Sequence, residues 1–152
     1  MMKKGADLPD DHHVMRYVPW SKLLKDEDEN VIGFLAQAFA LRPNEESLSV
    51  NWLEYFGGDR KANIRDSVLE FRRTLTSIGR KSAFGIANVK KIRDTCSATA
   101  GVKVRVVYEP SRKNPAHSCI RRLPLDDLTL LDALAADAFS ELVRNSDVKS
   151  IS

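Results

Sequence analysis

The chain has 152 residues, of which 43% are hydrophobic and 30% are charged, and its net charge is +3. A chain of this length is expected to fold as one domain and to bury its core without disulfides or metals. No apolar run approaches the roughly 18 residues of a membrane span, and no apolar segment follows the lysines near the N-terminus, as a secretory signal would require.

We therefore expect a cytoplasmic globular protein without membrane association. Residues 12–145 should form a single α+β domain. The polar segments at residues 1–11 and 146–152 should be flexible tails.

The first elements in the chain are a strand and an ambiguous segment. Residues 13–19 alternate in side-chain character and end at a proline, which is typical of a short strand. Residues 25–30 are acidic and predict a solvated loop. Residues 31–41 match the helical and the strand periodicity equally well, and their alanine content favours a helix.

Residues 48–56 are the densest apolar stretch and are expected to anchor the core. Apolar and polar side chains alternate up to Trp52, which predicts a half-buried strand. Asn51 is followed three residues later by Glu54, a spacing that resembles a capping box. The strand should therefore turn directly into a short helix.

The second half of the chain predicts three helices and three further strands. The helices are expected over residues 60–78, over a segment that Asn88 caps and Gly101 ends, and over residues 127–143. The strands are expected over residues 83–86, 102–108 and 117–123. Strands and helices in this mixed order predict a two-layer α+β fold, with a mainly antiparallel sheet and about three helices packed on one face.

The two cysteines are predicted to be reduced and buried. Cys96 and Cys119 lie in apolar patterns without a CxxC motif or the Cys/His spacing of a metal site. The acidic loop also lacks the alternating ligand spacing of a calcium site. No metal and no cofactor are therefore predicted.

Basic residues are concentrated between positions 59 and 81, where seven basic side chains accompany three acidic ones. Their spacing on the predicted helix favours a cationic stripe that binds an acidic protein surface or nucleic acid. A solvated helix face is the alternative interpretation. The candidate binding residues are Lys61, Arg65, Arg72, Arg73, Arg80 and Arg121.

The histidines support an enzymatic alternative. His13 opens the first predicted strand and His117 opens the last, so the two imidazoles would meet if these strands were neighbours. His117 and either His12 or His13 could then act as acid and base on a nucleotide or phosphodiester. Arg16 and Arg121 would balance its charge, and Ser49 or Ser118 would position it. The other interpretation is that these are half-exposed polar residues at strand ends.

An apolar segment beside the acidic loop suggests association with other chains. Trp20, Leu23 and Leu24 are close together there and could leave apolar surface outside the main core. A homo-oligomer or a larger complex is therefore a further hypothesis.

Overall fold

The computed structural model describes residues 2–149, which form a six-stranded sheet, a separate two-stranded hairpin and three α-helices. The helices are α1 (Arg60–Thr74), α2 (Val89–Ala100) and α3 (Leu128–Ala133). The strands are β1 (His13–Val18), β2 (Leu23–Lys25), β3 (Val31–Phe34), β4 (Ser47–Trp52), β5 (Ala83–Asn88), β6 (Arg105–Tyr108), β7 (His117–Arg121) and β8 (Glu141–Arg144).

The first strand lies in the middle of the sheet. The strand order is β6-β7-β4-β1-β5-β8, every pairing is antiparallel, and β2 and β3 form the separate hairpin. β1 pairs with β5 along its whole length but with β4 only at Val14 and Met15. The predicted α+β class and mainly antiparallel sheet are confirmed.

Hydrophobic cores lie on both faces of the sheet. On one face, which we call the α2 face, Val14, Leu48 and Val50 pack with α2, α3 and the hairpin. On the opposite α1 face, Met15 and Phe84 pack against α1. The helices therefore do not share one face as predicted, because successive residues of β5 are buried on both sides.

Local sequence signals fix the ends of α1 and α2. The carboxylate of Asp59 accepts a hydrogen bond from the backbone N–H of Ala62 at 2.8 Å, and this cap begins α1. Asn88 caps α2 in the same way, and Gly101 ends it with φ of 64°. The cap at Asn88 and the end at Gly101 agree with the predictions, whereas the Asp59 cap was not predicted. α1 ends at Thr74, four residues earlier than predicted.

The predicted helix over residues 127–143 is only partly correct. Asp127 caps α3, a π-helical turn follows over Leu134–Ala138, and the chain then forms β8. The leucine spacing continues through Leu142, so the sequence shows no break. The pairing of β8 with β5 overrides that local periodicity.

The ambiguous segment at residues 31–41 contains both structures. Residues 31–34 form β3, and Ala36–Phe39 form a 3-10 turn that buries Phe39 completely. The strand and the helical turn predicted for residues 48–56 are also present, as β4 and the 3-10 turn Leu53–Phe56. The Glu54 side chain does not cap this turn, since it binds His13 instead.

The segment before β1 lies along the edge of the sheet. The N–H of Leu8 donates to the carbonyl of Val106 at 2.9 Å, Gly5 and Ala6 bond to Tyr108, and Leu8 is buried. These contacts differ from the flexible tail that the sequence predicts for residues 1–11. At the other end, Val148 packs against the α1-face core, and residues 150–152 of the predicted C-terminal tail are outside the described residues.

No helix within residues 2–149 combines the length and the apolar character needed to cross a membrane.

Cys96 and Cys119 are unpaired and buried, as predicted. Burial raises the pKa of the Cys96 thiol to about 11, and burial likewise raises the pKa of Cys119. Both thiols should therefore react slowly with a disulfide reagent near pH 8, and quickly once urea unfolds the chain. Rapid reaction of the native protein would contradict this prediction.

The raised Cys96 pKa also predicts a pH dependence of stability. The folded state holds the thiol proton more tightly than the unfolded state does, so its stabilising contribution is complete below about pH 9. The contribution is lost as the pH rises from about 9 to about 11. The urea concentration at the midpoint of unfolding should therefore fall as the pH rises through this range for the wild type. It should fall less for the Cys96→Ala variant.

Candidate functional site

Three of the six predicted binding residues line two grooves that border the end of β8 and the segment after it. Arg80 lines one groove, and Lys61 and Arg65 line the other. Arg65 is near its neighbour Asp66, with 3.4 Å between Nε and Oδ1. Within residues 2–149, the side chains of Lys61 and Arg80 form no hydrogen bond or ion pair, so both can contact a ligand.

Arg72 and Arg73, by contrast, bind groups of the protein itself. The Nη2 of Arg72 donates to the side-chain oxygen of Asn145 at 2.8 Å and to its carbonyl at 2.9 Å. Arg73 forms an ion pair with Glu70 and donates to the carbonyl of Lys113. The predicted stripe along α1 is therefore not one continuous ligand-binding row.

The groove that Arg80 lines has a tryptophan in its wall. We call it the Trp20 groove, and it is bounded by Trp20, Arg80, Lys81, Arg144 and residues 28–31. The Arg144 side chain forms no hydrogen bond or ion pair within the described part of the chain. Asp28 and Glu29 place two carboxylates in the groove against these three cations.

Two lysines contact the ring of Trp20. The Nζ of Lys25 lies 4.2 Å from the ring centroid, and the Nζ of Lys81 lies 5.3 Å from it. Both are cation–π distances. No local sequence pattern predicts this aromatic ring among basic residues, because Trp20 and Lys81 are far apart in the chain.

Arg16 lies on the α2 face and replaces part of the missing pairing between β1 and β4. Its Nη1 donates to the carbonyl of Ser49 at 2.8 Å, and its Nε donates to the carbonyl of Ala38 at 2.7 Å. Burial lowers the Arg16 pKa to about 10, opposed by the charge of Glu45 and reinforced by that of Arg42. The guanidinium therefore stays charged at neutral pH and satisfies two backbone carbonyls.

His13 is bound on the α1 face by a carboxylate. Its Nδ1 lies 2.7 Å from one oxygen of Glu54, and its backbone N–H donates to the other oxygen at 2.7 Å. The neighbouring His12 stacks on Trp52 and accepts a hydrogen bond from its indole N–H at 2.9 Å. Glu54 thus links the beginning of β1 to the turn after β4.

His117 has different partners. Its Nε2 lies 3.2 Å from the hydroxyl of Ser49, and its Nδ1 lies 2.7 Å from the carbonyl of Glu109. The carboxylate of Glu109 also binds Arg121, with 3.1 Å between Oε2 and Nη2, and this hydrogen bond raises the Arg121 pKa. Arg121 is therefore part of the surroundings of His117.

His13 and His117 do not meet. Their strands are separated by β4, and the register offsets them by two residues, so their backbones are about 12 Å apart. Asn51 lies between them, buried and hydrogen-bonded to Asn114 at 2.7 Å. Since Arg16 lies on the opposite face, the predicted catalytic set of His13, His117 and Arg16 is not assembled around one substrate site.

No group of three or more Cys, His, Asp or Glu side chains within residues 2–149 is arranged to hold a metal ion. The comparisons with protein-family models, curated proteins and solved structures found no match to this chain. The arrangement of the side chains is therefore the basis for any functional proposal.

Proposed function

We propose that this protein binds an anionic partner, and that the partner is nucleic acid. The observation that carries the proposal is the position of Lys61, Arg80 and Arg144. Their side chains have no protein partner within residues 2–149, and they line two grooves that border the same segment of chain.

The distribution of these cations favours an extended polyanion over a small ligand. Arg80 and Arg144 lie in the Trp20 groove. Lys61 lies in the second groove, and the end of β8 and the residues after it border both grooves. Lys149 adds a further cation to that second groove. A phosphate backbone that crosses this segment could contact both sets of charges.

Trp20 supports nucleic acid in preference to an acidic protein. Proteins that bind single strands combine a cationic groove with aromatic rings on which bases stack. The half-buried ring of Trp20 lies beside Lys25 and Lys81, which could contact flanking phosphates. Because Asp28 and Glu29 repel phosphate, the strand would follow the part of the groove that Arg80, Lys81 and Arg144 line.

A cytoplasmic location, expected from the sequence, is part of this proposal. Two reduced, buried thiols fit a reducing compartment, and that compartment also supplies nucleic acid.

A salt titration tests the proposal. Binding of a labelled single-stranded oligonucleotide of about 16 nucleotides would be followed by fluorescence anisotropy. Contacts to about four phosphates predict a slope near −3 in log K against log salt, and therefore a roughly 50-fold loss from about 50 to about 200 mM salt. An affinity that does not change with salt would rule out this mode of binding.

Charge reversal then locates the site. The Arg80→Glu and Arg144→Glu double variant should bind the oligonucleotide at least about tenfold more weakly. The matched control is Lys103→Glu, an exposed lysine next to β6 at the other edge of the sheet, which should bind nearly as the wild type does. Equal losses in both proteins would show non-specific attraction. Binding of polyglutamate without binding of the oligonucleotide would instead identify an acidic protein surface as the partner.

The oligomer hypothesis remains a prediction. Leu23 is buried, whereas Leu24 and Ile32 of the hairpin are 42% and 62% exposed. They line a mostly apolar groove that also contains Ala135 and Leu142.

A further inference from the structure

A serine hydroxyl, an imidazole and a backbone carbonyl form a hydrogen-bonded row on the α1 face of the sheet. The row runs from Ser49 to Nε2 of His117 at 3.2 Å, and from Nδ1 of His117 to the carbonyl of Glu109 at 2.7 Å. A carbonyl only accepts, so Nδ1 carries a proton. In the neutral ring Nε2 then holds a lone pair, and the Ser49 hydroxyl donates to it, which is the resting arrangement of a serine nucleophile and its base.

Sheet pairing holds these three residues in place. In the register of β4 and β7, Asn51 is opposite His117 and Ser49 is opposite Cys119, so Ser49 and His117 are diagonal neighbours on one face. Glu109 directly follows β6, and its backbone N–H donates to the carbonyl of His117 at 3.0 Å. The geometry therefore depends on three adjacent strands and not on a mobile loop.

The surrounding charges suit proton transfer. An oxygen of the Glu109 carboxylate lies 3.9 Å from Nδ1 of His117, where it favours the imidazolium that forms when Nε2 takes a proton. Arg121 lies on the same strand as His117 and binds the other oxygen of Glu109. Its charge would favour an oxyanion that develops beside Ser49.

The row is accessible from solvent. Ser49 is exposed, and the His117 side chain is 24% exposed. A substrate can therefore approach Ser49 without any rearrangement of the core.

We propose that Ser49 is an activated nucleophile and His117 its general base, and that they hydrolyse carboxylic esters. The Oγ of Ser49 attacks the ester carbonyl carbon while its proton moves to Nε2 of His117. The carbon–oxygen bond of the ester then breaks, and His117 gives the proton to the departing alcohol. Water attacks the acyl-serine, His117 takes a proton from it and returns one to Ser49, and the products are one acid and one alcohol.

Covalent labelling of the wild-type protein provides the first test. A fluorophosphonate probe reacts with activated serines, so it should modify Ser49, and peptide mass spectrometry should locate the adduct there. Labelling elsewhere, or no labelling of the folded protein, would refute the proposal. This measurement requires no variant and does not depend on nucleic-acid binding.

Variants and turnover of p-nitrophenyl acetate provide the second test. His117→Gln should lower the rate of ester hydrolysis and of labelling at least about 100-fold. Ser49→Ala should abolish the adduct. The matched control, Ser47→Ala, alters a serine on the same strand and face and should keep wild-type rates. If His117→Gln and the wild type react equally, while circular dichroism shows both folded, His117 is not the base.

Discussion

Replacing Phe39 by alanine should lower the free energy of unfolding by about 3–5 kcal/mol. Phe39 is completely buried in the 3-10 turn between β3 and β4. Its ring stacks on Phe139 with centroids 4.4 Å apart and meets the edge of Phe34 at 5.8 Å. The variant would lose the transfer energy of the ring and both aromatic contacts, and it would leave a cavity between the hairpin and the end of the π-helical turn.

Urea unfolding followed by circular dichroism measures this loss. The matched control is Phe56→Ala, because Phe56 is only partly buried at the end of its own 3-10 turn. The free energy of unfolding of that variant should fall by about 1 kcal/mol or less. If Phe39→Ala costs no more than Phe56→Ala, the hairpin contributes little to the core.

Replacing Arg72 by alanine should lower the free energy of unfolding by about 2–4 kcal/mol, because hydrogen bonds from a charged donor contribute more to stability than neutral ones do. The Arg72 guanidinium donates to Asn145 through Nε and Nη2, and to the carbonyl of Val148 at 2.6 Å. Asn145 in turn donates through its amide to the carbonyl of Gly79 at 3.2 Å. Removal of Arg72 would therefore release the chain after β8 from α1 and from the turn before β5.

Arg73→Ala is the matched control on the same helix. The Arg73 side chain is 59% exposed and pairs with Glu70, so the expected loss is below about 1 kcal/mol. The midpoint of urea unfolding should separate the two variants clearly. Equal stabilities would show that the bonds to Asn145 are not needed for the fold. Charge reversal of Arg72 and Arg73 would change stability as well as binding, because Arg72 binds Asn145. Arg80 and Arg144 form no such bonds within the described residues, so their variants test binding alone.

Local signals in the sequence were sufficient for most elements. Alternation predicts β1 and β4, the apolar spacing predicts the beginning of α1, and the cap at Asn88 predicts the beginning of α2. β8 was missed because Leu142 continues the helical spacing of the preceding leucines. Its strand conformation results from pairing with β5, a contact of long sequence separation that no local pattern reports.

The candidate site was less predictable for the same reason. Periodicity gave the face that Lys61 and Arg65 share, but it could not show that Arg72 binds Asn145, which lies 73 positions further along the chain. The contact of Ser49 with His117 depends on the order and register of β4 and β7. Both facts require knowledge of the strand order, which a single sequence does not contain.

The central position of β1 has a consequence for synthesis on the ribosome. β1 is synthesised before both strands that flank it, and β5, with which it pairs along its whole length, ends only at Asn88. Until then the edge of β1 that faces β5 is unpaired, and the other edge can pair with β4 only at Val14 and Met15. Unpaired strand edges are templates for other chains. We therefore expect nascent chains that stall before residue 83 to need chaperones, and those stalled beyond residue 144 to be protected.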